Sequence, residues 1–183
     1  MLADKGAEAR ASRQGTKLAE LEKEARIVLQ EVWAKISARE RLVIFGAVAV
    51  LVGWIVGEFI ATVNLCGGYN VPGLACPSIS YFSAGNSGFF AILGLVAAIA
   101  AVVVVYLKAA PNMNITWPMP VAQVLLGVCA ATLVLGVLGV LMQVSYGLTG
   151  APITMWIADV IFVGGGAVQA YAAYMEYTAA KAA

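Results

Sequence analysis

Two acidic residues, Glu58 and Asp159, stand inside long apolar stretches of this chain and are the side chains best suited to carry chemistry. Residues 52–66 read VGWIVGEFIATVNLC, with no basic residue near the carboxyl group of Glu58. An acidic side chain at the centre of a membrane-spanning helix costs about 2.5–3.5 kcal/mol on insertion scales, and less near an interface. If the two carboxyl groups face each other, at least one is protonated or a cation lies between them. They therefore form a candidate cation or proton site.

The elements that must position these side chains are membrane-spanning helices. Hydrophobic residues make up 62% of the 183-residue chain and charged residues 11%, whereas soluble domains have about 45–50% and about 25%. A soluble chain of this length could not bury so much apolar surface. Unbroken apolar stretches of about 20 residues predict helices rather than the alternating strands of a membrane barrel. We predict an all-α, four-helix transmembrane bundle over residues 42–183, with spans at about 42–63, 89–107, 121–143 and 153–175.

The charged residues predict how the bundle is oriented. Residues 1–41 hold nine of the eleven Lys and Arg residues, Lys108 lies between the second and third spans, and Lys181 follows the fourth. The linkers 64–88 and 144–152 contain no charged residue. The positive-inside rule therefore predicts cytoplasmic termini in a multi-pass integral membrane protein, which we assign to a prokaryotic plasma membrane.

With this topology the two acids fall at nearly the same depth, roughly 7–10 Å below the outer surface at the axial rise of a helix. Two further polar side chains, Gln143 and Asn64, could complete an oxygen-lined site together with threonines near the same level. The alternative is that Glu58 and Asp159 each reach water near the outer interface, or hydrogen-bond a neighbouring helix or partner subunit. The sequence leaves both interpretations open.

The chain before the first span is predicted to form a cytoplasmic arm. Residues 1–14 are small, polar and mixed in charge, which favours disorder. Residues 15–41, called the arm below, indicate an amphipathic helix with apolar residues at alternating three- and four-residue spacing over about two heptads. The stripe comprises Leu18, Leu21, Val28 and Val32, with Ala25 between them. Such a helix can lie on the inner membrane face, self-associate or dock on a cytoplasmic partner, and all three interpretations stay open.

Two of the three cysteines, Cys66 and Cys76, lie in the same outer linker. In an oxidising compartment we expect them to form a disulfide, which contributes about 2–3 kcal/mol when it closes so short a loop. A redox pair is the functional alternative, but nine residues separate the two cysteines whereas redox pairs commonly have CxxC spacing. Cys129, within the third span, is expected to be a small packing residue.

Small residues within the spans predict close helix packing. Gly53 and Gly57 have GxxxG spacing in the first span, Gly136 and Gly139 lie in the third, and Gly165 lies in the fourth. No hydrophobic force drives helices together in lipid, so residues that let two backbones approach closely are the usual device. This pattern favours a compact bundle and association between copies.

The residue types that are absent exclude much familiar chemistry. The chain has no His, which excludes His-ligated haem, His-containing zinc sites and Ser-His-Asp catalysis. It also has no glycine-rich phosphate-binding loop of the GxxxxGK[ST] type. The arm is nearly balanced in charge, so the sequence does not favour nucleic-acid binding. We therefore expect no enzymatic activity, no cofactor and no metal site.

Two functions remain for such a chain. The first is a non-catalytic integral membrane protein that acts by assembly, as a subunit of a larger membrane complex or as a homo-oligomeric scaffold. Its partners would be the lipid bilayer and other membrane subunits or copies of itself. The alternative is a small cation- or proton-linked transporter or channel that uses Glu58 and Asp159.

Overall fold

The computed structural model describes residues 30–64, 78–80, 87–110, 116–145 and 153–182, together with residues 23, 26 and 27. The regular secondary structure within these residues is helical apart from one pair of three-residue strands. The helices are α1 (Ala38–Ile55), which continues as a π-helical turn over Val56–Ile60, α2 (Ser87–Ala109), α3 (Val121–Ser145) and α4 (Ile153–Ala182). All four are long and apolar enough to cross a membrane. The predicted four-helix transmembrane bundle is confirmed, and the protein is an integral membrane protein.

The first spanning helix begins before the predicted position at residue 42, because Ser37 caps it. The Oγ of Ser37 accepts a hydrogen bond from the backbone N–H of Glu40 at 3.2 Å, and Oε2 of Glu40 accepts one from the N–H of Ser37 at 2.8 Å. This reciprocal capping box satisfies two backbone donors that a helix start leaves unpaired. The helix predicted over 15–41 therefore does not run through to residue 41, since it breaks at residues 36–37. From here on, the arm means the part before this break, residues 15–35.

The far end of α1 also differs from the predicted span, which ran to residue 63. The helix widens into the π-helical turn, where the N–H of Ala61 donates to the carbonyl of Val56 at 2.8 Å, and the backbone then becomes extended at Ala61. The fourth helix shows the opposite difference, since it extends seven residues beyond the predicted end at 175. Hydropathy marks the apolar part of a helix, and it does not mark how far the helix continues at either end.

Two short strands follow the π-helical turn. Strand β1 (Thr62–Asn64) pairs with β2 (Ser78–Ser80) in an antiparallel ladder, with residue 62 opposite 80, 63 opposite 79 and 64 opposite 78. The ladder pairs residues 62–64 with residues 78–80 inside the linker between α1 and α2.

Helices α1 and α4 pack closely in antiparallel directions, because glycines face each other along the contact. A methyl group on Gly46 would lie 2.7 Å from the carbonyl oxygen of Gly165, and one on Gly165 would lie 2.7 Å from the backbone nitrogen of Val50. A methyl group on Gly53 would lie 2.6 Å from the backbone nitrogen of Phe162. Since real Cβ atoms do not come so close to backbone atoms, these positions require glycine.

The ring of Phe162 fills the space between α2 and α3. Cβ atoms added at Gly94 of α2 and Gly136 of α3 would lie 3.1 Å and 3.2 Å from this ring. The backbone of the same residue rests against Gly53 of α1. One aromatic side chain of α4 is therefore accommodated by a glycine from each of the other three helices.

Buried residues form two apolar clusters, one toward each end of the bundle. One contains Ala47, Val50 and Phe162, and the other contains Val43, Val105 and Leu125. The second cluster also includes Val32 and Ile36, which belong to the arm and the break after it. The arm therefore ends against the membrane domain. Large apolar side chains elsewhere on the bundle are exposed, as expected for a surface that contacts lipid; they include Phe45, Phe89, Val96, Val134 and Val160.

Candidate functional site

Asp159 is a buried acid on α4, with 5% of its surface exposed. It lines a cavity of about 420 Å³ between α3 and α4, which we call the lateral cavity. The other lining side chains are apolar apart from the indole N–H of Trp156, and they lie on one face of each helix at helical spacing. They are Val137, Val140 and Leu141 of α3 and Trp156, Val160, Val163 and Gly164 of α4.

A second, much smaller void lies on another side of the same acid. Its volume is about 10 Å³, which is close to the space of one water molecule. Ala91 of α2, Gly136 and Gly139 of α3 and Phe162 of α4 are among its lining residues. Asp159 thus lines both the lateral cavity and a small void, and α3 contributes to the walls of both.

Glu58 lies in the π-helical turn and is partly buried. The contacts of Gly53 with Phe162 and of Gly46 with Gln169 define an antiparallel register between α1 and α4. Continued toward the π-helical turn, this register places Glu58 level with Ile157, which is about 3 Å along the axis from Asp159. The two acids therefore lie at similar depth, but Glu58 is not among the residues that line either cavity beside Asp159.

The structure does not bring Gln143 into either cavity. Gln143 is buried on α3 with 2% of its surface exposed, and it is absent from both cavity linings. Asn64 is the last residue of strand β1. Asp159 and Gln143 each take part in interactions within the protein. Among the residues that the structure describes, no group of three or more Asp, Glu, His or Cys side chains is placed to hold a metal ion.

The amide of Gln169 links three helices in the bundle interior. Its Nε2 donates to the carbonyl of Val43 on α1 at 3.2 Å and to that of Ala98 on α2 at 3.5 Å. The residue is fully buried, and its Oε1 accepts no hydrogen bond within the described part of the chain. The two donated bonds fix the amide orientation, because both acceptors require the nitrogen. Gln169 therefore acts as an interhelical link, as polar residues in spanning helices commonly do.

The strongest charged contacts lie where α1 begins and where α2 and α4 end, which we call the charged end. The Nζ of Lys108 lies 2.7 Å from Oε1 of Glu40 and 3.0 Å from Oε1 of Glu176. A guanidinium nitrogen of Arg39 lies 3.8 Å from the other oxygen of Glu176. The Glu40 side chain is only 5% exposed, whereas that of Lys108 is 41% exposed. One lysine from α2 thus joins acids on α1 and α4.

From the sequence, Lys108 indicates only the orientation of the bundle, and Glu40 does not stand out as a functional residue. One signal was available, since Ser37 and Glu40 have the S-x-x-E spacing of a capping box just before an apolar run. No sequence signal pairs Glu40 with Lys108, because the pair forms only when α1 and α2 lie side by side. The same holds for Phe162 and the glycines around its ring.

At the described end of the arm, the side chain of Arg41 contacts the exposed ring of Trp33. Trp33 is 41% exposed, and the guanidinium of Arg41 lies 5.3 Å from the centre of its ring. The same guanidinium donates to the carbonyl of Trp33 at 3.2 Å. Since cation–π contacts of this kind stabilise a ring at an exposed site, the Trp33 side chain is held at the surface. Val32, the last residue of the predicted stripe, is buried against the bundle instead.

Several predicted residues lie outside the described part of the chain. They are Cys66 and Cys76 of the predicted disulfide and Leu18, Leu21 and Val28 of the arm stripe. Cys129 is buried on α3 as a free thiol. Among the predicted packing glycines, Gly53, Gly136 and Gly165 have the helix contacts described above, and Gly57 and Gly139 are buried.

No family model, no curated protein and no solved structure matches this chain.

Proposed function

We propose that this protein is a non-catalytic membrane protein that acts by assembly, as a subunit of a larger membrane complex or as a homo-oligomeric scaffold. The observation that carries the proposal is the attachment of the arm to the bundle. Val32 and Ile36 are buried among residues of the membrane helices. The end of the arm next to α1 is therefore held against the membrane domain, and we call this attachment the fixed base of the arm. A docking element requires such an attachment.

The charged end strengthens this base. Ser37 and Glu40 cap α1 directly after the arm, and Glu40 is paired to Lys108 of α2 at 2.7 Å. An element held in one orientation before it meets a partner loses less conformational entropy on binding than a mobile one. The fixed base thus favours binding of the arm to another protein chain.

Trp33 is the contact residue that we assign to this docking element. Tryptophan and arginine are enriched among the residues that carry most of the free energy in protein interfaces. Here Trp33 is exposed and Arg41 holds its ring in place. Glu31 and Lys35 are exposed as well, two residues before and two residues after Trp33.

We propose further that the charged end faces the cytoplasm of a prokaryotic cell, with both termini on that side. The support is the distribution of Lys and Arg, since Arg39, Arg41 and Lys108 lie at this end while the linkers 64–88 and 144–152 carry no charge. Loops that stay in the cytoplasm are enriched in these residues.

The test is removal of residues 2–29 from the full chain, which leaves Val32, Ile36 and the capping box in place. Wild type and variant are extracted from the native membrane in mild detergent, and the intact particles are weighed by native mass spectrometry. We expect the truncated protein to lose subunits that accompany the full chain, and Trp33→Ala to reduce their occupancy. Lys181→Ala, at the end of α4, serves as the control for a surface change outside the arm. An unchanged particle after truncation would show that the arm does not hold the assembly.

A second candidate function is a small cation- or proton-linked transporter that uses Glu58 and Asp159. It is favoured by one observation, the similar depth of the two acids that follows from the register of α1 and α4. The double change Glu58→Gln with Asp159→Asn is expected to abolish flux in liposomes while the protein stays folded. Cation or proton flux that survives this double change would exclude the pair as the transport site.

A further inference from the structure

The lateral cavity combines one buried carboxyl group with walls that are otherwise almost entirely apolar. Asp159 is 95% buried, since only 5% of its surface is exposed, and the α3 wall consists of Val137, Val140 and Leu141. Acids are costly inside a membrane and commonly mark a site for a substrate or ion. The volume of about 420 Å³ falls within the range of small-molecule sites in proteins.

The cavity opens on the side of the bundle that faces the lipid. Val160 is 70% exposed and Leu141 is 57% exposed, and in a membrane such surfaces contact lipid. A ligand would therefore reach Asp159 from the bilayer, so it must itself partition into lipid.

The chemistry of the lining selects the class of ligand. Inorganic cations need several oxygen ligands, six or more for calcium and magnesium, whereas the side chains around this cavity offer a single carboxyl group. An organic cation needs only one counter-charge when apolar substituents surround its charge, and these substituents would contact the valine and leucine side chains. Trp156 lies one helical turn from Asp159 on the same face of α4 and adds an aromatic ring to the lining.

We propose that the lateral cavity is a binding site for a lipophilic cation, an amine or an onium ion with apolar substituents, with Asp159 as its counter-charge. The proposal is independent of assembly through the arm. It shares Asp159 with the second candidate function but does not use Glu58, and it places the ligand between α3 and α4.

A transmembrane helix of a partner protein is the competing occupant, and the extent of the cavity argues against it. The lining spans Val137 to Leu141 on α3 and Trp156 to Gly164 on α4, which is roughly 12 Å along the longer segment at the axial rise of a helix. A spanning helix would contact a groove over a larger part of the roughly 30 Å hydrocarbon core. A small molecule fits the shorter length.

Gly164 offers a way to close the cavity without disturbing the fold. A methyl group added there would meet no atom within 4 Å, and the residue lines the cavity. Gly127 is a matched control, because it also has open space around it and lies on α3 outside the lining. The changes Gly164→Leu and Gly127→Leu therefore add the same side chain to two open helix positions, of which only one belongs to the cavity.

The experiment measures equilibrium binding of radiolabelled tetraphenylphosphonium to the purified full chain in mild detergent. We expect saturable binding that weakens at least about tenfold in Asp159→Asn, because the counter-charge is removed. We expect a loss of at least about tenfold in Gly164→Leu, because its side chain occupies the site. Gly127→Leu should bind within about twofold of the unmodified protein, since it adds the same apolar surface elsewhere. Circular dichroism and size-exclusion chromatography verify the fold of each variant, and Gly164→Leu decides the outcome if Asp159→Asn does not fold.

Three results would overturn the proposal. The first is the absence of saturable binding, or equal binding by the unmodified protein, Asp159→Asn and Gly164→Leu. The second is a loss of tetraphenylphosphonium binding in Glu58→Gln that is as large as the loss in Asp159→Asn. That result would assign the ligand to a site shared by both acids. The third is binding that appears only after a co-purifying membrane subunit is removed, which would identify a partner helix as the occupant. Binding, flux and particle mass are separate measurements, so each proposed function can fail without the others.

Discussion

Phe162 shows how single residues determine the packing of this bundle. Its ring lies near Gly94 and Gly136, and its backbone lies against Gly53. In lipid the close approach of helices depends on van der Waals contact, so the absence of a side chain at these positions is what lets the helices meet. The three glycines differ in what an added methyl group would contact, and this difference makes the packing testable.

We predict that Gly53→Ala destabilises the protein by about 1–3 kcal/mol, because overpacking forces the backbones apart. The added Cβ would lie 2.6 Å from the backbone nitrogen and 2.8 Å from the Cα of Phe162, neither of which can move without moving α4. The measurement is unfolding of the purified protein by SDS, followed by tryptophan fluorescence.

The control for this prediction is Gly127→Ala, where the added methyl group meets nothing within 4 Å. We expect its unfolding midpoint to equal or slightly exceed that of the unmodified protein, since alanine favours the helix over glycine. Equal midpoints for Gly53→Ala and Gly127→Ala would show that the close contact of α1 with α4 does not limit stability.

At the scale of elements, the charged end joins three helices through one lysine. Glu40 on α1 and Glu176 on α4 both lie within 3.0 Å of the Nζ of Lys108 on α2. Glu40 has a further role, because its other oxygen accepts the N–H of Ser37 in the capping box. The ion pair therefore connects the start of α1 to the end of α2.

We predict that Lys108→Met lowers the free energy of unfolding by about 1–3 kcal/mol, because it leaves a buried carboxylate without its cation. The figure is below that for a fully buried pair, since the Lys108 side chain is 41% exposed and water screens part of the interaction. SDS unfolding of the purified protein measures the change.

Two further variants make this prediction specific. Glu40→Gln in the Lys108→Met background should recover part of the loss, because the unpaired charge is removed. Lys181→Met removes an exposed lysine near the end of α4 and should leave the unfolding midpoint unchanged. A loss in Lys181→Met as large as that in Lys108→Met would indicate a general effect of charge rather than this ion pair.

The existence of the four helices could be predicted from the sequence, whereas their rotation about their own axes could not. An unbroken apolar stretch indicates a helix in lipid, but it is apolar on all sides and does not reveal which side meets another helix. The sequence therefore predicts a depth for Asp159, but it does not predict that Asp159 lines a cavity between α3 and α4. Glu40 and Lys108 are 68 residues apart, and their pairing depends on the order of helices in the bundle.

At the scale of the whole molecule, the charged end and the strand pair lie at opposite ends of α1. The capping box begins this helix, and strand β1 follows the π-helical turn at its far end. If the charged end faces the cytoplasm, the linker between β1 and β2 faces the outside. In a bacterial cell that side is oxidising, so the redox state of Cys66 and Cys76 depends on the orientation of the protein.

We predict that Cys66 and Cys76 form a disulfide, because both lie in the linker that this orientation exposes to an oxidising compartment. Alkylation of the denatured, unreduced protein should therefore label Cys129 alone, and alkylation after reduction should label all three cysteines.

Labelling all three cysteines without reduction would contradict the disulfide. Either the two cysteines do not pair although the linker faces outside, or the linker faces the cytoplasm. A membrane-impermeant maleimide applied to intact cells would distinguish these two explanations. Labelling of Cys66 or Cys76 from outside would support the proposed orientation and exclude only the pairing. If Cys66 and Cys76 react with the reagent only after the cells are permeabilised, this linker faces the reducing cytoplasm. Cys129 is buried within α3 and does not react in the folded protein, so any signal reports the linker. The reversed orientation would also move the arm to the outside of the cell, and its partner would then be sought there.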